Sequence, residues 1–496
     1  MRRESVAMTA EVDDQLRRHL LRDDGQEDLC LALYAPSVGS ERSTALISEL
    51  ALPRLGERSV HGNASFTGDY VTRVATLATK RGLGVAILHS HPSGRTWQEM
   101  SGPDIDAEQA FAYLLHAATG LPLVGMTLAG ATSTWSARIW SADRVPTDAE
   151  SVRVIGSNLR ASWNPSLRPT PPETGSQVRT ISTWGPTTQA DLARLRVLVV
   201  GAGSIGLEIA VRLAASGVQR IGVMDFDTVE EINLDRLIGA TRTDARLRRS
   251  KLQVAERLMK AAATAKQFDL HLHESSVCEP SGLAIALDYD VIFSCVDRPF
   301  PRSILNSIAH ADLIPVIDGG IAIDVFDDLS MRSASWRSHI LIPGRPCLFC
   351  NGQLRPEDVA TDREGLLDDA LYIAGAGAEL GLSKPNQNVA LLSAAASSSM
   401  MTQFVSFIAN PGGRGEPGPL QYHLAGHSLE HVVYELNPRC PWESKVAVGA
   451  KRIPLAAKHP KAHEVIGIRR KARRTLSIRI GEMRSKFAKW VGGESR

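Results

Sequence analysis

One stretch of the chain, from Arg196 to Arg236, constrains the fold more than any other. It begins with the apolar run Val197 to Val200, which is typical of a strand buried in a parallel sheet. A glycine-rich turn, Gly201 to Gly206, comes next, and apolar residues then recur at helical spacing. A second apolar run, Ile221 to Met224, ends at Asp225. The order of strand, glycine-rich turn, helix and strand predicts one unit of a parallel α/β sheet with an acid at the end of its second strand.

Such a unit is suited to binding a nucleotide. Glycines allow backbone N–H groups to approach a phosphate at the start of the helix, and a carboxylate such as Asp225 can hold ribose hydroxyls. A single glycine-rich turn of this kind most often belongs to a dinucleotide-dependent dehydrogenase. The residues that follow it therefore decide between functions.

Those residues form further motifs. Asp225-Phe226-Asp227 leads to Asn233-Leu234-Asp235-Arg236 and then to Lys251, and the later apolar run Val291 to Cys295 is followed by Asp297. In this order the motifs resemble those of the ThiF/MoeB family, whose fold is shared by ubiquitin-activating enzymes. The resemblance covers roughly residues 178–443. It implies a Rossmann-like α/β domain that uses ATP and Mg²⁺ to adenylylate the C-terminal glycine of a ubiquitin-like or sulfur-carrier β-grasp protein.

The resemblance also implies roles for individual residues. Asp225 would hold the ribose, and Asp297 would hold the magnesium ion. Asn233, Arg236 and Lys251 would contact the triphosphate. The residues implied for nucleotide binding are Gly201, Gly203, Gly206, Asp225, Asp227, Asn233, Arg236, Lys251 and Asp297.

Arg179 lies shortly before Gly185, ahead of the glycine-rich turn. In the ThiF/MoeB family an arm at this position crosses onto the partner subunit and presents an arginine to the ATP phosphates. The resemblance therefore implies a catalytic role for Arg179 and a homodimer. The alternative is an ordinary solvated arginine.

A second group of motifs lies in the N-terminal third of the chain. The apolar run Val85 to Leu88 is followed by His89-Ser90-His91-Pro92, and Ser101-Gly102-Pro103-Asp104 comes later. Histidines two residues apart on a strand point to the same face, so both can reach one metal ion. These motifs resemble H-x-H-P and S-x-x-D of the JAMM (JAB/MPN-type) metallopeptidases. The resemblance implies that His89, His91 and Asp104 bind a catalytic zinc ion.

Metallopeptidase chemistry also requires a general base, because the water bound to zinc must lose a proton. In the family this base is a glutamate on an early strand, and here Glu27 precedes the apolar run Leu29 to Tyr34. Glu49 and Glu57 are weaker alternatives. Ser101 would donate a hydrogen bond to the tetrahedral oxyanion. The loop between the two zinc-binding motifs is longer than is usual in that family.

The six cysteines of this 496-residue chain are unevenly spaced and do not indicate a disulfide framework. Cys347 and Cys350 resemble the first half of the ThiF/MoeB zinc knuckle, and Cys440 with Glu443 occupies the position of the second half. The resemblance implies a structural zinc ion held by three cysteines and one glutamate, or a site that is weak or empty. No cysteine occurs from residue 351 to residue 439, where thioester-forming activating enzymes carry one, so we do not expect a thioester on this chain.

Composition and charge divide the chain further. A Pro-rich stretch over residues 161–176 separates a JAMM/JAB-like domain, residues 1–160, from a ThiF/MoeB-like domain, residues 177–445. Residues 446–496 form a basic tail, so the rest of a chain with net charge +2 is acidic. Apolar residues recur at helical spacing in the tail: Leu476, Ile480, Met483, Phe487, Trp490 and Val491. Such a basic amphipathic helix can dock on the body or bind an anionic membrane surface, nucleic acid or a partner groove.

The sequence contains no uninterrupted apolar run of about 18 residues and no apolar segment near Met1 of the kind that directs secretion. We therefore expect no transmembrane helix and a location in the reducing cytoplasm.

Together, the two resemblances imply a bifunctional enzyme of a prokaryotic ubiquitin-like system. The first domain would trim or remove a ubiquitin-like protein, and the second would activate its C-terminal glycine for a downstream conjugating protein, with antiphage defence as one setting. One alternative is sulfur-carrier activation for cofactor biosynthesis. Another is a scaffold that binds a ubiquitin-like protein without catalysis, which the presence of Asp297 and of the histidine pair disfavours.

Overall fold

Two large β-sheets carry the fold, one in each half of the chain. The computed structural model describes residues 2–61, 63–368, 387–459, 461–469 and 471. The amphipathic helix that the sequence predicts from Leu476 to Val491 lies outside the described residues.

In the N-terminal half, the described strands are β1 (Arg3–Thr9), β2 (Leu29–Val38), β3 (Arg42–Ala51), β4 (Arg58–His61), β5 (Asn63–Phe66), β6 (Gly84–His91), β7 (Leu123–Ala129), β8 (Thr134–Trp140), β9 (Pro146–Asp148), β10 (Ser151–Ile155) and β11 (Leu159–Trp163). Nine of them form one sheet in the order β11-β10-β1-β3-β2-β6-β7-β8-β9, and β4 pairs with β5. The helices are α1 (Ala10–Leu20), α2 (Gly68–Arg81) and α3 (Gly102–Thr119). Because side chains alternate along a strand, Cys30 and Ala32 of β2 face one apolar core, while Leu31 and Leu33 face another.

The strands of the second half are β12 (Arg196–Val200), β13 (Arg220–Met224), β14 (Asp269–His273), β15 (Val291–Ser294), β16 (Val316–Val325), β17 (Met331–Leu341), β18 (Leu420–His423) and β19 (Ser428–His431). They form one sheet in the order β14-β13-β12-β15-β16-β17-β18-β19, parallel from β14 to β16 and antiparallel beyond. The helices are α4 (Val178–Trp184), α5 (Pro186–Arg194), α6 (Ser204–Ala215), α7 (Arg242–Arg246), α8 (Lys251–Ala262), α9 (Pro280–Ala286), α10 (Pro299–Ala311), α11 (Pro356–Arg363) and α12 (Ala390–Ala409), and residues 461–469 are also helical. The order β14-β13-β12-β15 is the Rossmann-like arrangement.

The structure confirms the predicted unit of strand, glycine-rich turn, helix and strand as β12, α6 and β13. Two positions in the turn require glycine. Gly201 has a φ of +95°, and a Cβ there would lie 2.5 Å from the carbonyl oxygen of Cys295. A Cβ at Gly206 would lie 1.8 Å from the carbonyl oxygen of Gly201. The end of β12 therefore lies directly against the residues that follow β15.

Packed structure continues past two of the predicted domain boundaries. The linker predicted over residues 161–176 starts later, because the chain up to Trp163 pairs with β10 as part of β11. Part of the tail predicted over residues 446–496 packs against the rest of the protein, since Ala447 and Ala462 are both buried. In each case tertiary packing extends into a stretch whose composition is typical of a linker or tail.

One described helix, α12, is long and apolar enough to cross a membrane, with a mean hydropathy of 1.3 over its most apolar window. Half of that window is buried inside the fold. Met400, Phe404 and Phe407 belong to the main apolar core, and the Phe404 ring centroid lies 5.5 Å from that of Phe293 in β15. The apolar character of α12 is thus used for packing against the sheet.

The two halves meet at a buried cluster of charges. Asp290, immediately before β15, forms an ion pair with Arg42 at the start of β3 and accepts a hydrogen bond of 2.9 Å from the N–H of Arg196. Arg153 of β10 is fully buried, with one nitrogen 3.6 Å from Asp290. Although burial opposes ionisation, the arginines hold the pKa of Asp290 well below its usual range. Arg196 begins β12, and Gly201 follows the last residue of that strand. The interface therefore lies at the amino ends of the parallel strands, and the glycine-rich turn lies at their carboxyl ends.

Replacing Asp290 with Asn should destabilise the protein, because Arg42 and Arg153 would stay buried without their counter-charge. We expect the free energy of unfolding to fall by about 3–5 kcal/mol, the usual cost of removing one partner of a buried ion pair. Urea denaturation at neutral pH measures the change. Asp324 pairs with Arg332 at the surface, so Asp324→Asn is the control and should cost less than about 1 kcal/mol. Equal effects of the two substitutions would contradict the role of Asp290.

Candidate functional site

The glycine-rich turn opens into a cavity of about 770 Å³ at the carboxyl ends of the parallel strands β12, β13 and β15. Every residue implied for nucleotide binding lines this cavity except Gly206, which lies inside α6 against Gly201. These residues are spread along the sequence as far as Asp297. The sheet brings them together because parallel strands end at the same edge.

Asp225 lies at the end of β13 and is only 9% exposed. One carboxylate oxygen accepts a hydrogen bond of 2.7 Å from the N–H of Ala202, and the other accepts one of 2.6 Å from the N–H of Asp227. Burial raises the pKa of Asp225, and the positive charge of Lys251 opposes that shift. The carboxylate is therefore held beside the glycine-rich turn, where it can receive ribose hydroxyls.

Lys251 begins α8, and its Nζ lies 2.9 Å from Asp227 Oδ2. Burial acts against the charge of this ammonium group, but Asp225, Asp227 and Asp297 together raise its pKa. Lys251 is therefore protonated at neutral pH among three carboxylates. A cation here can neutralise phosphate charge, and Asp227 and Asp297 offer the oxygen ligands that Mg²⁺ prefers.

The cavity also has a basic end that sequence reasoning missed. Asp318 of β16 is fully buried and forms ion pairs with Arg302 of α10 and Arg337 of β17. Both arginines line the cavity. Arg302 could have been found from its closeness to Asp297 in the sequence, whereas Arg337 carries no motif and reaches the cavity only because β17 pairs with β16.

Local contacts hold Asn233 and Arg236 at the cavity. Asn233 Oδ1 accepts a hydrogen bond of 3.0 Å from the N–H of Glu230, and Arg236 pairs with Asp235 at 2.8 Å. Arg179 is exposed on α4 and is not among the residues that line the cavity of its own chain. Its role across a dimer interface stays a prediction.

A second cluster joins β6 and α3 in the N-terminal half. Strand β6 extends to His91, so both histidines lie within it, and Asp104 lies in the first turn of α3. The Nε2 atoms of His89 and His91 are 3.2 Å apart, and they lie 3.5 and 3.7 Å from the two Asp104 oxygens. These ligand atoms all lie within 4.8 Å of one another. The set fits zinc, which takes three protein ligands and a water molecule in catalytic sites.

Gln98 supports this cluster, and sequence reasoning missed its role. Its Oε1 lies 3.1 Å from His91 Nδ1, so it can accept a hydrogen bond that orients the ring. The pKa of His91 is raised, mainly by contact with Asp104 and further by Gln98 and the nearby charge of Glu27. The longer loop between the two motifs thus supplies a partner for one of the predicted ligands.

The three glutamates that are candidates for the general base have different surroundings in the structure. The negative charge of Glu27 acts on His91 and adds to the larger effect of Asp104 on its pKa. Glu49 and Glu57 instead form ion pairs with arginines of α2. The role of Glu27 as the general base stays a prediction.

Ser101 is the N-cap of α3 and contacts one of the predicted zinc ligands. Its hydroxyl donates a hydrogen bond of 2.7 Å to Asp104 Oδ2, and its Oγ accepts one of 3.3 Å from the N–H of Asp104. Ser101 therefore positions Asp104, while its contact with an oxyanion stays a prediction.

Three cysteines form a third cluster. The Sγ atom of Cys347 lies 3.8 Å from that of Cys350 and 3.6 Å from that of Cys440. Glu443 is not part of this group of ligand atoms: its Oε1 accepts a hydrogen bond of 2.8 Å from the N–H of Gly344, and its Oε2 lies 3.5 Å from His310 Nε2. Three residues of the predicted set are therefore together, and the role of Glu443 as a fourth ligand stays a prediction. Thiols at this separation still fit a soft metal ion such as zinc.

Comparison with known proteins identifies the second half of the chain. The sequence profile of the ThiF family matches residues 175–441, slightly more than half of the chain. The chain belongs to the ThiF family. The predicted family and the Rossmann-like fold of this half are confirmed, and the JAMM-type assignment of the N-terminal half stays a prediction.

Curated relatives match a part of the chain. "Adenylyltransferase and sulfurtransferase MOCS3" of Anopheles gambiae is 31% identical over 131 residues, which are 26% of this chain and 29% of that protein. "Probable adenylyltransferase/sulfurtransferase MoeZ" of Mycobacterium tuberculosis is 34% identical over 133 residues, which are 27% of this chain and 33% of that protein. The chain thus spans about a third of the length of these relatives. Among solved structures, E. coli MccB with MccA-N7isoASN has 18% identity and a TM-score of 0.43, covering 55% of this chain and 75% of that one.

Replacing Gln98 with Ala should weaken zinc binding at the histidine cluster by about 10- to 100-fold, because His91 loses the partner that orients its ring. Competition with a chelator of known zinc affinity, on the full-length protein, measures the change. The His89→Ala variant shows which part of the bound zinc belongs to this cluster. Glu99 is exposed, so Glu99→Ala is the control and should bind zinc as the wild type does. An unchanged affinity in Gln98→Ala would mean that the loop does not support the site.

Proposed function

We propose that the second half of this chain activates the C-terminal carboxylate of a β-grasp protein as an acyl-adenylate, with ATP as co-substrate. The observation that carries the proposal is one cavity that combines the glycine-rich turn, the acid Asp225, and Lys251 among three carboxylates. Membership of the ThiF family supports it, as do the names of the relatives, which denote adenylyltransferases.

In this reaction, an oxygen of the partner's C-terminal carboxylate attacks the α-phosphorus of ATP. The bond between that phosphorus and the bridging oxygen breaks, and pyrophosphate leaves with the electron pair. Negative charge on the phosphate oxygens increases in the transition state, and Lys251 and Arg236 are placed to stabilise it. Mg²⁺, when bound, would neutralise charge on the leaving pyrophosphate, and Asp297 and Asp227 are the residues that would hold it.

The names of the relatives favour sulfur-carrier activation over conjugation. MOCS3 and MoeZ are both named as sulfurtransferases as well as adenylyltransferases. The sequence also has no cysteine from residue 351 to residue 439, so the usual position for a thioester offers no thiol. We therefore propose sulfur-carrier activation first and conjugation second, which reverses the order that the sequence alone indicated.

We further propose that the N-terminal half is a zinc peptidase that acts on the same partner. His89, His91 and Asp104 offer three zinc ligands, and Gln98 orients one of them. Zinc, when bound, would lower the pKa of a coordinated water molecule. Glu27 would accept a proton from that water and return it to the leaving amine. Removal of residues beyond the terminal glycine would expose the carboxylate that the second half activates.

Replacing Asp297 with Ala should reduce ATP–pyrophosphate exchange by about 100-fold or more, because a predicted magnesium ligand is lost. The assay uses the full chain, MgATP and a β-grasp protein that ends in Gly-Gly. Asp328 lies in the exposed turn between β16 and β17, so Asp328→Ala is the control and should exchange as the wild type does. Failure of the wild type to bind MgATP would contradict the proposal.

With a partner that carries residues beyond its terminal glycine, exchange should require both halves. His89→Ala should abolish exchange with the extended partner and leave exchange with the mature partner unchanged, because only trimming is lost. Mass spectrometry of the partner gives the cleavage position and distinguishes a carboxylate from a thiocarboxylate. Equal exchange by wild type and His89→Ala with the extended partner would contradict the trimming role.

A further inference from the structure

The chain beyond the ThiF-matched region returns to the nucleotide cavity. Arg452 forms an ion pair with Asp312, and the N–H of Ala457 donates a hydrogen bond of 2.8 Å to the carbonyl oxygen of Cys278. These contacts hold the segment along the second half of the molecule as far as His459, which lines the cavity.

His459 lies against two aromatic rings. Its ring centroid is 5.5 Å from that of Phe226 and 6.3 Å from that of Phe300, and the Phe300 ring is inclined to it by only 27°. Phe300 is fully buried, whereas Phe226 and His459 both line the cavity. Phe226 and His459 therefore form one aromatic wall.

The start of the next helix, over residues 461–469, sets the orientation of the imidazole. The N–H of Ala462 donates a hydrogen bond of 3.1 Å to His459 Nδ1, so a neutral ring carries its proton on Nε2. Burial lowers the pKa of His459, which favours the neutral form. The negative charges of Asp362, Asp368 and Glu279 act to raise the pKa of His459 and the positive charge of Arg298 acts to lower it, but burial has the largest effect.

The aromatic wall lies where a nucleobase is expected. The glycine-rich turn marks the phosphates and Asp225 marks the ribose. Phe226 directly follows Asp225 in the sequence. Residues 275–277 form the loop after β14, which pairs with β13 on the side away from β12, and this loop also lines the cavity. A base attached to a ribose at Asp225 therefore extends toward Phe226 and His459.

We propose that His459 is a base-binding residue, whose imidazole packs against the adenine of ATP. The inference rests on the proposed ATP-dependent function. It adds to the nucleotide site a residue that lies outside the ThiF-matched region and carries no motif of its own. His459 would contact only the base of ATP, and neither the phosphates nor the partner's carboxylate. Replacing it should therefore weaken the binding of ATP and leave the binding of a ligand without a base unchanged.

Calorimetric titration of the full chain with MgATP and with magnesium tripolyphosphate tests the proposal. His459→Asn removes the ring but keeps a side-chain acceptor for the N–H of Ala462, so the segment can remain docked. We expect this variant to bind MgATP about tenfold more weakly, as for the loss of one base-stacking contact, and to bind tripolyphosphate as before. His459→Phe restores an aromatic wall and should recover most of the affinity. His463 lies on the same helix with its side chain 63% exposed, so His463→Asn is the matched control.

Unchanged MgATP affinity in His459→Asn, or equal losses for the two ligands, would overturn the inference. Asp225→Ala separates that result from failure of the proposed function. If the wild type binds MgATP and Asp225→Ala does not, the nucleotide site that the proposed function requires is supported, whatever the result at His459. A wild type that does not bind MgATP overturns both.

Discussion

The nucleotide site depends on the close approach of the glycine-rich turn to the end of β15. Because Gly201 has no side chain, the backbone after β12 can lie against the carbonyl oxygen of Cys295, and Gly206 lets the first turn of α6 lie against Gly201. Asp297 follows Cys295 closely in the sequence. The contact between Gly201 and Cys295 therefore also sets the distance between the start of α6 and the Asp297 carboxylate. Backbone N–H groups that attract phosphate and an acid that attracts a cation thus share one edge of the sheet.

The two halves of the chain contact each other at the amino ends of the same parallel strands. Asp290 immediately precedes β15, and Arg196 begins β12. Each of these short strands therefore runs from the interface at one end to the nucleotide cavity at the other. The segment that ends at His459 makes a second connection, because Lys451 donates a hydrogen bond to the carbonyl oxygen of Arg81 in the N-terminal half. The two halves are therefore linked through the buried charge cluster and a bonded segment, and not only through the linker.

The glycine-rich turn and the acids of the nucleotide cavity could be predicted because their chemistry is encoded in short motifs. A glycine-rich turn followed by a helix, and acids placed directly after apolar strands, depend on the local chain and on strand ends meeting at one edge. Glu443 shows the limit of such reasoning. Its spacing from Cys440 matches a ligand pattern, but only the fold shows that one carboxylate oxygen bonds to the N–H of Gly344 while the three thiols come together.

The sequence by itself determined the parallel α/β unit, the acids at its strand ends and the histidine pair on β6, because each arises from residue types at fixed local spacing. Only the tertiary structure decided that Gln98 orients His91, that Asp318 holds two arginines at the cavity, and that His459 lies against Phe226. In each of those contacts one partner, Gln98, Asp318 or His459, lies outside the motifs of the sequence. Their positions follow from how loops and strands pack, which is a property of the whole fold and not of any short stretch.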